Sequence, residues 1–168
     1  MSSPDVGLDL IAETRRNWEE RGLREVDAMV AATSIARAHQ IVLGRINQTL
    51  AAHDLTFSRY EALALLSFAR NESMGMARIG ERLQVHPTSV TSTIDRLERD
   101  GLVARNPNPD DRRATLVQLS PDGRALLDQA TASLEAVRWG MGDIGDDSLG
   151  LLSAGLSEVR NSTRDDND

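Results

Sequence analysis

The chain has 168 residues, 40% hydrophobic and 27% charged, a length and mixture that suit one folded core with appended helices and exclude a disordered or fibrous polymer. Aromatic residues make up only 3% (Trp18, Trp139, Tyr60, Phe57 and Phe68), so aliphatic side chains must fill the interior, which favours helix packing over sheets. There is no Cys, which removes disulfides, thiolate nucleophiles and Cys-ligated zinc, and all 19 basic residues are Arg, which removes a Walker phosphate loop and a Schiff-base lysine.

The formal charge of −7 is unevenly spread. Residues 74–124 carry eight Arg against seven acids, a net +1, while the remainder carries eleven Arg against nineteen acids. A relatively cationic segment therefore sits on an acidic body, the pattern to look for when a chain of low overall charge meets nucleic acid. The first residues, MSSPDVG, lack the basic stretch and apolar run of a signal peptide, and no apolar run approaches membrane-spanning length. A cytoplasmic protein without membrane contact is expected.

In chain order, residues 9–24 predict a short leading helix with Leu10, Ile11 and Trp18 as apolar points, stopped at Gly22. Val30, Ile35, Val42, Ile46 and Leu50 recur near helical spacing and predict one long helix over Val26–Leu50. Ser58, with Glu61 three residues on, reads as the capping pair of the next helix, and residues 71–75 as a turn. Met76, Ile79 and Leu83 stripe a short helix. Pro87 starts another, with Val90, Ile94 and Leu97 on one face and Gly101 as its left-handed cap. Residues 102–105 and 114–119 alternate as a hairpin around an arginine-tipped loop, and Ser120 opens a helix whose Leu127, Ala130, Leu134, Val137 and Met141 form a seam for a partner helix. Leu149, Leu152, Leu156 and Val159 stripe a last helix. GMGDIG, from Gly140, matches a dinucleotide-binding pattern by letter, yet it follows a helix rather than a strand and reads as a connecting loop.

Helix, tight turn, helix and hairpin is the order of a winged helix-turn-helix. Opposite the Val90, Ile94 and Leu97 stripe lie Thr88, Ser92, Asp95, Arg96 and Arg99, hydroxyls and cations suited to phosphates and guanine edges in a major groove. Arg112 and Arg113, at the hairpin tip, are placed to reach an adjacent minor groove. Three stretches, LTFSRYEALALL (55–66), IGERLQVHPTSVTSTIDRLERDGLVAR (79–105) and DDRRATLVQLSPDGRAL (110–126), resemble the MarR family of dimeric winged-helix transcription regulators, the likeness extending over about residues 26–160.

The resemblance implies a mainly α fold with a small β-hairpin wing. Residues 1–25 would be an N-terminal extension, 26–54 and 121–160 a helical dimerisation region, 55–120 the DNA-binding domain and 161–168 a disordered acidic tail. It implies a homodimer that binds double-stranded DNA at a palindrome, probing it with Thr88, Ser89, Thr91, Ser92, Arg96, Arg99, Arg112 and Arg113, with Asp111 holding the wing. Leu127, Leu134, Val137, Met141, Leu152 and Leu156 are the expected dimer contacts. Family members that release DNA on binding small aromatic or anionic metabolites suggest a repressor with an effector cleft formed by Trp18, Arg37, His39, Arg45, Tyr60 and Glu61. The leading helix and Glu61 are similar to a urate-sensing subgroup, from which the chain departs at Thr93, where that subgroup has Arg.

No cofactor or resident metal is expected. A metal-responsive regulator built on His39, His53 and His86 is the alternative. A small enzyme using Asp110 and Asp111 with a histidine is a third reading, weakened because adjacent acids in a polar loop lack the burial that tunes a general acid.

Overall fold

In a computed structural model, residues 9–108 and 114–162 are described; Asp111, Arg112 and Arg113, expected to hold the wing and contact DNA, the adjoining Asp110, and the expected tail beyond 162 lie outside them. The elements are α1 (Leu10–Glu20), α2 (Val26–Leu50), α3 (Phe57–Ser67), β1 (Ser73–Gly75), α4 (Met76–Leu83), α5 (Pro87–Arg99), β2 (Val103–Pro107), β3 (Thr115–Leu119), α6 (Pro121–Ala136) and α7 (Asp146–Ser162). No helix among the described residues is long and apolar enough to cross a membrane.

The predicted periodicities place the core. Leu63 and Leu66 of α3, Ile79 of α4, Val90, Ile94 and Leu97 of α5, and Val117 and Leu119 of β3 are buried in one cluster, which extends through Ile46 and Leu50 into the end of α2 and through Leu127, Ala130 and Leu134 into α6. The winged unit therefore shares its interior with the two helices that flank it.

Caps set the element boundaries. Thr56, extended at φ −103° and ψ 163°, accepts the Arg59 amide proton and starts α3. Ser58, the expected cap, is already inside the helix. His86 caps α5 through Nδ1, which accepts from the Thr88 amide at 3.3 Å, and Pro87 takes the first turn, where a missing N–H costs nothing. Gly101 adopts φ +74° just beyond α5, a conformation open to glycine at little cost.

Two expectations are corrected. Residues 73–75, within the expected turn, form an antiparallel third strand against β3, Met74 opposite Val117, giving the sheet order β1-β3-β2. Three residues, one of them a glycine, are too short for an alternation signal, so the strand exists through its partner. The helix expected to run through Met141 ends at Ala136. Arg138, Trp139 and Gly140 all take positive φ, and the break is held from outside: Arg45 of α2 donates from Nη1 to the Gly140 carbonyl at 2.9 Å, and Trp139 packs against Tyr60. Tertiary contacts override the helical pattern there.

Candidate nucleic-acid interface

Burying Val90, Ile94 and Leu97 turns the other face of α5 outward, and there Thr88, Thr91, Ser92, Asp95, Arg96 and Arg99 line one shallow concavity with Pro87. All of these side chains are exposed. The Thr91 hydroxyl donates to the Pro87 carbonyl at 3.1 Å, so its oxygen can still accept a hydrogen bond. Among the described residues Arg96 and Arg99 form no ion pair, so both guanidinium groups are available to an external anion or base edge. Ser89 also lies on α5 but is turned sideways, towards a second cavity.

The acids of α5 are treated differently. Arg105, on β2, donates from Nη2 to Asp95 at 2.6 Å and from Nη1 to Glu98 at 2.5 Å, and its backbone N–H also donates to Glu98 at 3.2 Å. Burial works against the Arg105 charge, but the bonds from Asp95 and Glu98 outweigh it and raise the guanidinium above its ordinary value. Asp100, at the end of α5, is paired with Arg59 of α3. These pairs place positive charge beside carboxylates at the helix C-terminus, where negative charge is least welcome. Arg105 was not among the expected site residues; its partners lie seven and ten positions away across a helix end and a strand, a relation no local pattern encodes.

The six residues expected to build an effector cleft do not converge within the chain. Trp18 bonds through Nε1 to the Arg24 carbonyl at 3.3 Å and braces the α1–α2 turn. Arg37 donates to Gln40 on the exposed side of α2, and Arg45 is engaged with Gly140. Tyr60 is buried, its hydroxyl 2.9 Å from Thr131 Oγ1, and its aromatic neighbours are Phe57 and Trp139, not Trp18. Glu61 faces a cavity of about 320 Å³ between α3, α4 and α5, with Ser58, Ser89 and Thr93 as polar neighbours and Ala62, Ile79, Leu83 and Ile94 among its apolar ones. Burial pushes the Glu61 carboxyl above its ordinary value. His39 belongs to a separate apolar groove of about 510 Å³, shared with Ile35, Val42 and Ile46 of α2, Met141, and Leu152 and Leu156 of α7.

The expected dimer seam is divided too. Leu127 and Leu134 lie inside the chain's own core, because α6 packs on α2 and α3, and they are buried there. Val137 is at the helix end and half-exposed, whereas Met141, Leu152 and Leu156 remain on the open groove. The three histidines are apart: His53 Nε2 lies 2.9 Å from Ser133 Oγ, His86 caps α5 and His39 is on α2. Among the described residues no group of three or more His, Asp or Glu is placed to hold a metal ion. The glycines of GMGDIG form the α6–α7 connection, as expected.

The sequence model of the MarR family matches residues 55–115. Among curated proteins, the chain is 32% identical over 77 residues to the HTH-type transcriptional repressor MdtR of Bacillus subtilis (46% of this chain, 50% of that one). It is 30% identical over 95 residues to the HTH-type transcriptional regulator PrsX of Escherichia coli (56% and 57%). The chain thus spans about half the length of the curated relatives it matches. The structural likeness reaches further. A MarR family transcriptional regulator from Streptomyces coelicolor is 44% identical, with a TM-score of 0.78 over 85% of this chain and 99% of that one. On that agreement along nearly the whole of a solved relative, the chain belongs to the MarR family.

Proposed function

We propose that this chain is a homodimeric DNA-binding transcription regulator, a repressor that seats α5 in successive major grooves of a palindromic operator and leaves it when a small molecule binds. The observation that carries the reading is the sorting of α5: its aliphatic stripe is buried, its hydroxyl and guanidinium face is exposed, and Arg96 and Arg99 form no ion pair among the described residues. Short hydroxyls at the helix N-terminus suit phosphates, while longer guanidinium groups can reach base edges bidentately. The related MdtR is named a repressor.

Dimerisation through α2 and α7 is supported by the apolar groove between them and by α7 itself, which has no buried residue although Leu151, Leu152 and Val159 are exposed on it. An amphipathic helix with its apolar face uncovered gains from a partner. For the effector, the cavity beneath α5 is the supporting feature, since occupancy there changes what α5 rests on. The anionic effector expected from Arg37 and Arg45 loses that support, because neither guanidinium reaches the cavity and Glu61 faces it. Mobility shift and footprinting on the DNA upstream of its own gene, with light scattering of the free protein, test the reading. A palindromic footprint bound by a dimer supports it, and a protein that retains no fragment at low salt defeats it.

A further inference from the structure

We propose that Arg105 is a positioning residue of the α5 interface: it clamps Asp95 and Glu98 and thereby cancels the negative charge that this face would otherwise present to a phosphate backbone. The proposal rests on the DNA-binding reading above. Asp95 lines the same concavity as Arg96 and Arg99, so an unpaired carboxylate there lies within a Debye length of any phosphate those arginines approach. Glu98 stands one turn from Asp95 on the flank facing β2. Arg105 is at the edge of the sheet, since among the described residues β2 pairs only with β3, and its backbone N–H is bonded to Glu98. One residue therefore uses its main chain to fix Glu98 and two arms of its guanidinium to hold both acids. Its side chain is only 24% exposed, against 48% for Asp95 and 39% for Glu98, so the guanidinium is turned towards the acids more than towards solvent. A planar fork can span two carboxylates, which a single ammonium group cannot do with the same geometry. With these acids matched, Arg96 and Arg99 are, among the described residues, the charges of this face without an ion-pair partner, in a chain whose total is −7.

The test compares wild type, Arg105→Ala, the Asp95→Asn/Glu98→Gln double variant and the triple variant, using a labelled duplex from upstream of the gene and an unrelated duplex of equal length at several salt concentrations. Arg105→Ala is expected to weaken both duplexes by about tenfold or more at low salt, and the triple variant to recover to within a few-fold of wild type, because neutral acids no longer need the clamp. The double variant retains Arg105 as a freed cation and is expected to bind more tightly with a steeper salt slope, an outcome that holds even where Arg105→Ala fails to fold. Equal binding by Arg105→Ala and wild type, an unrecovered loss in the triple variant, or a loss in the double variant confined to the upstream duplex, which marks Asp95 as a base reader, would each overturn the clamp. A wild-type protein that binds neither duplex overturns the DNA-binding reading itself, and the clamp with it.

Discussion

The indole of Trp139 stands edge-on to the Tyr60 ring, centroids 5.7 Å apart and planes at 72°, although Trp139 holds φ at +54°. The contact joins the α6–α7 connection to α3, and Tyr60 is fixed in turn: the Thr131 hydroxyl donates to the Leu127 carbonyl, so the Tyr60 hydroxyl donates to Thr131. A left-handed residue with a side chain costs about 1–2 kcal/mol, roughly what an aromatic pair returns. Trp139→Gly is therefore expected to be more stable than Trp139→Ala by about 1 kcal/mol in urea denaturation, since both lose the ring but glycine alone is relieved of the backbone cost. Equal stability of the two contradicts this account of the break.

Glu61 gives a pH dependence with a definite sign. Its carboxyl titrates above its ordinary value in the folded chain because burial disfavours the charge. The contribution of the neutral form to stability is thus fully present below the unfolded value and lost as pH rises through the folded one. Glu61→Gln is expected to match wild type in thermal stability below about pH 4 and to exceed it at neutral pH, the gap opening as wild-type Glu61 ionises. A gap independent of pH would show that the substitution acts through packing.

Leu134 and Leu152 separate folding from assembly. Leu134 is fully buried within the protomer, so Leu134→Glu is expected to cost several kcal/mol and to unfold the chain rather than to dissociate a dimer. Leu152 lines the open groove at 40% exposure, and Leu152→Glu is expected to keep helical circular dichroism while lowering the mass seen by light scattering. A folded monomer from Leu134→Glu contradicts the placement of α6.

Among the described glycines, Gly123 makes the tightest approach. A Cβ there would collide with the Leu102 carbonyl oxygen and lie 2.9 Å from Leu119 Cδ1, so the first turn of α6 sits directly on the start of the β2–β3 hairpin. Gly123→Ala is expected to lose about 3 kcal/mol despite the better helix propensity of alanine, as read by chemical denaturation.

Where a helix buries one face and its ends carry their own signals, its inward residues and span were legible, as with Val90, Ile94 and Leu97 of α5 and the full span of α2. The outward face of α5 followed from the same wheel. What local pattern could not reveal depends on distant partners. β1 exists because Val117 lies opposite Met74, α6 stops because Arg45 and Tyr60 hold residues 139 and 140, and Arg105 finds its acids only after the chain has turned back along α5. The 3-4-3 spacing of Leu127, Ala130, Leu134 and Val137 was real, but spacing does not distinguish a helix that packs on its own chain from one that packs on a copy. The residues of the expected cleft stand apart within the chain for a related reason: Trp18, Arg37 and Arg45 each bond locally or on another face of the fold.

The central claim is that the exposed face of α5 binds duplex DNA through Arg96 and Arg99. Its most direct measurement is a fluorescence-anisotropy titration of the upstream duplex across a range of salt concentrations, comparing wild type with an Arg96→Ala/Arg99→Ala variant whose circular dichroism matches wild type. The account predicts saturable wild-type binding that weakens with salt, and in the variant an affinity lower by at least about tenfold with a shallower salt dependence, since phosphate and base contacts are both lost. Indistinguishable titration curves for the two proteins would contradict it.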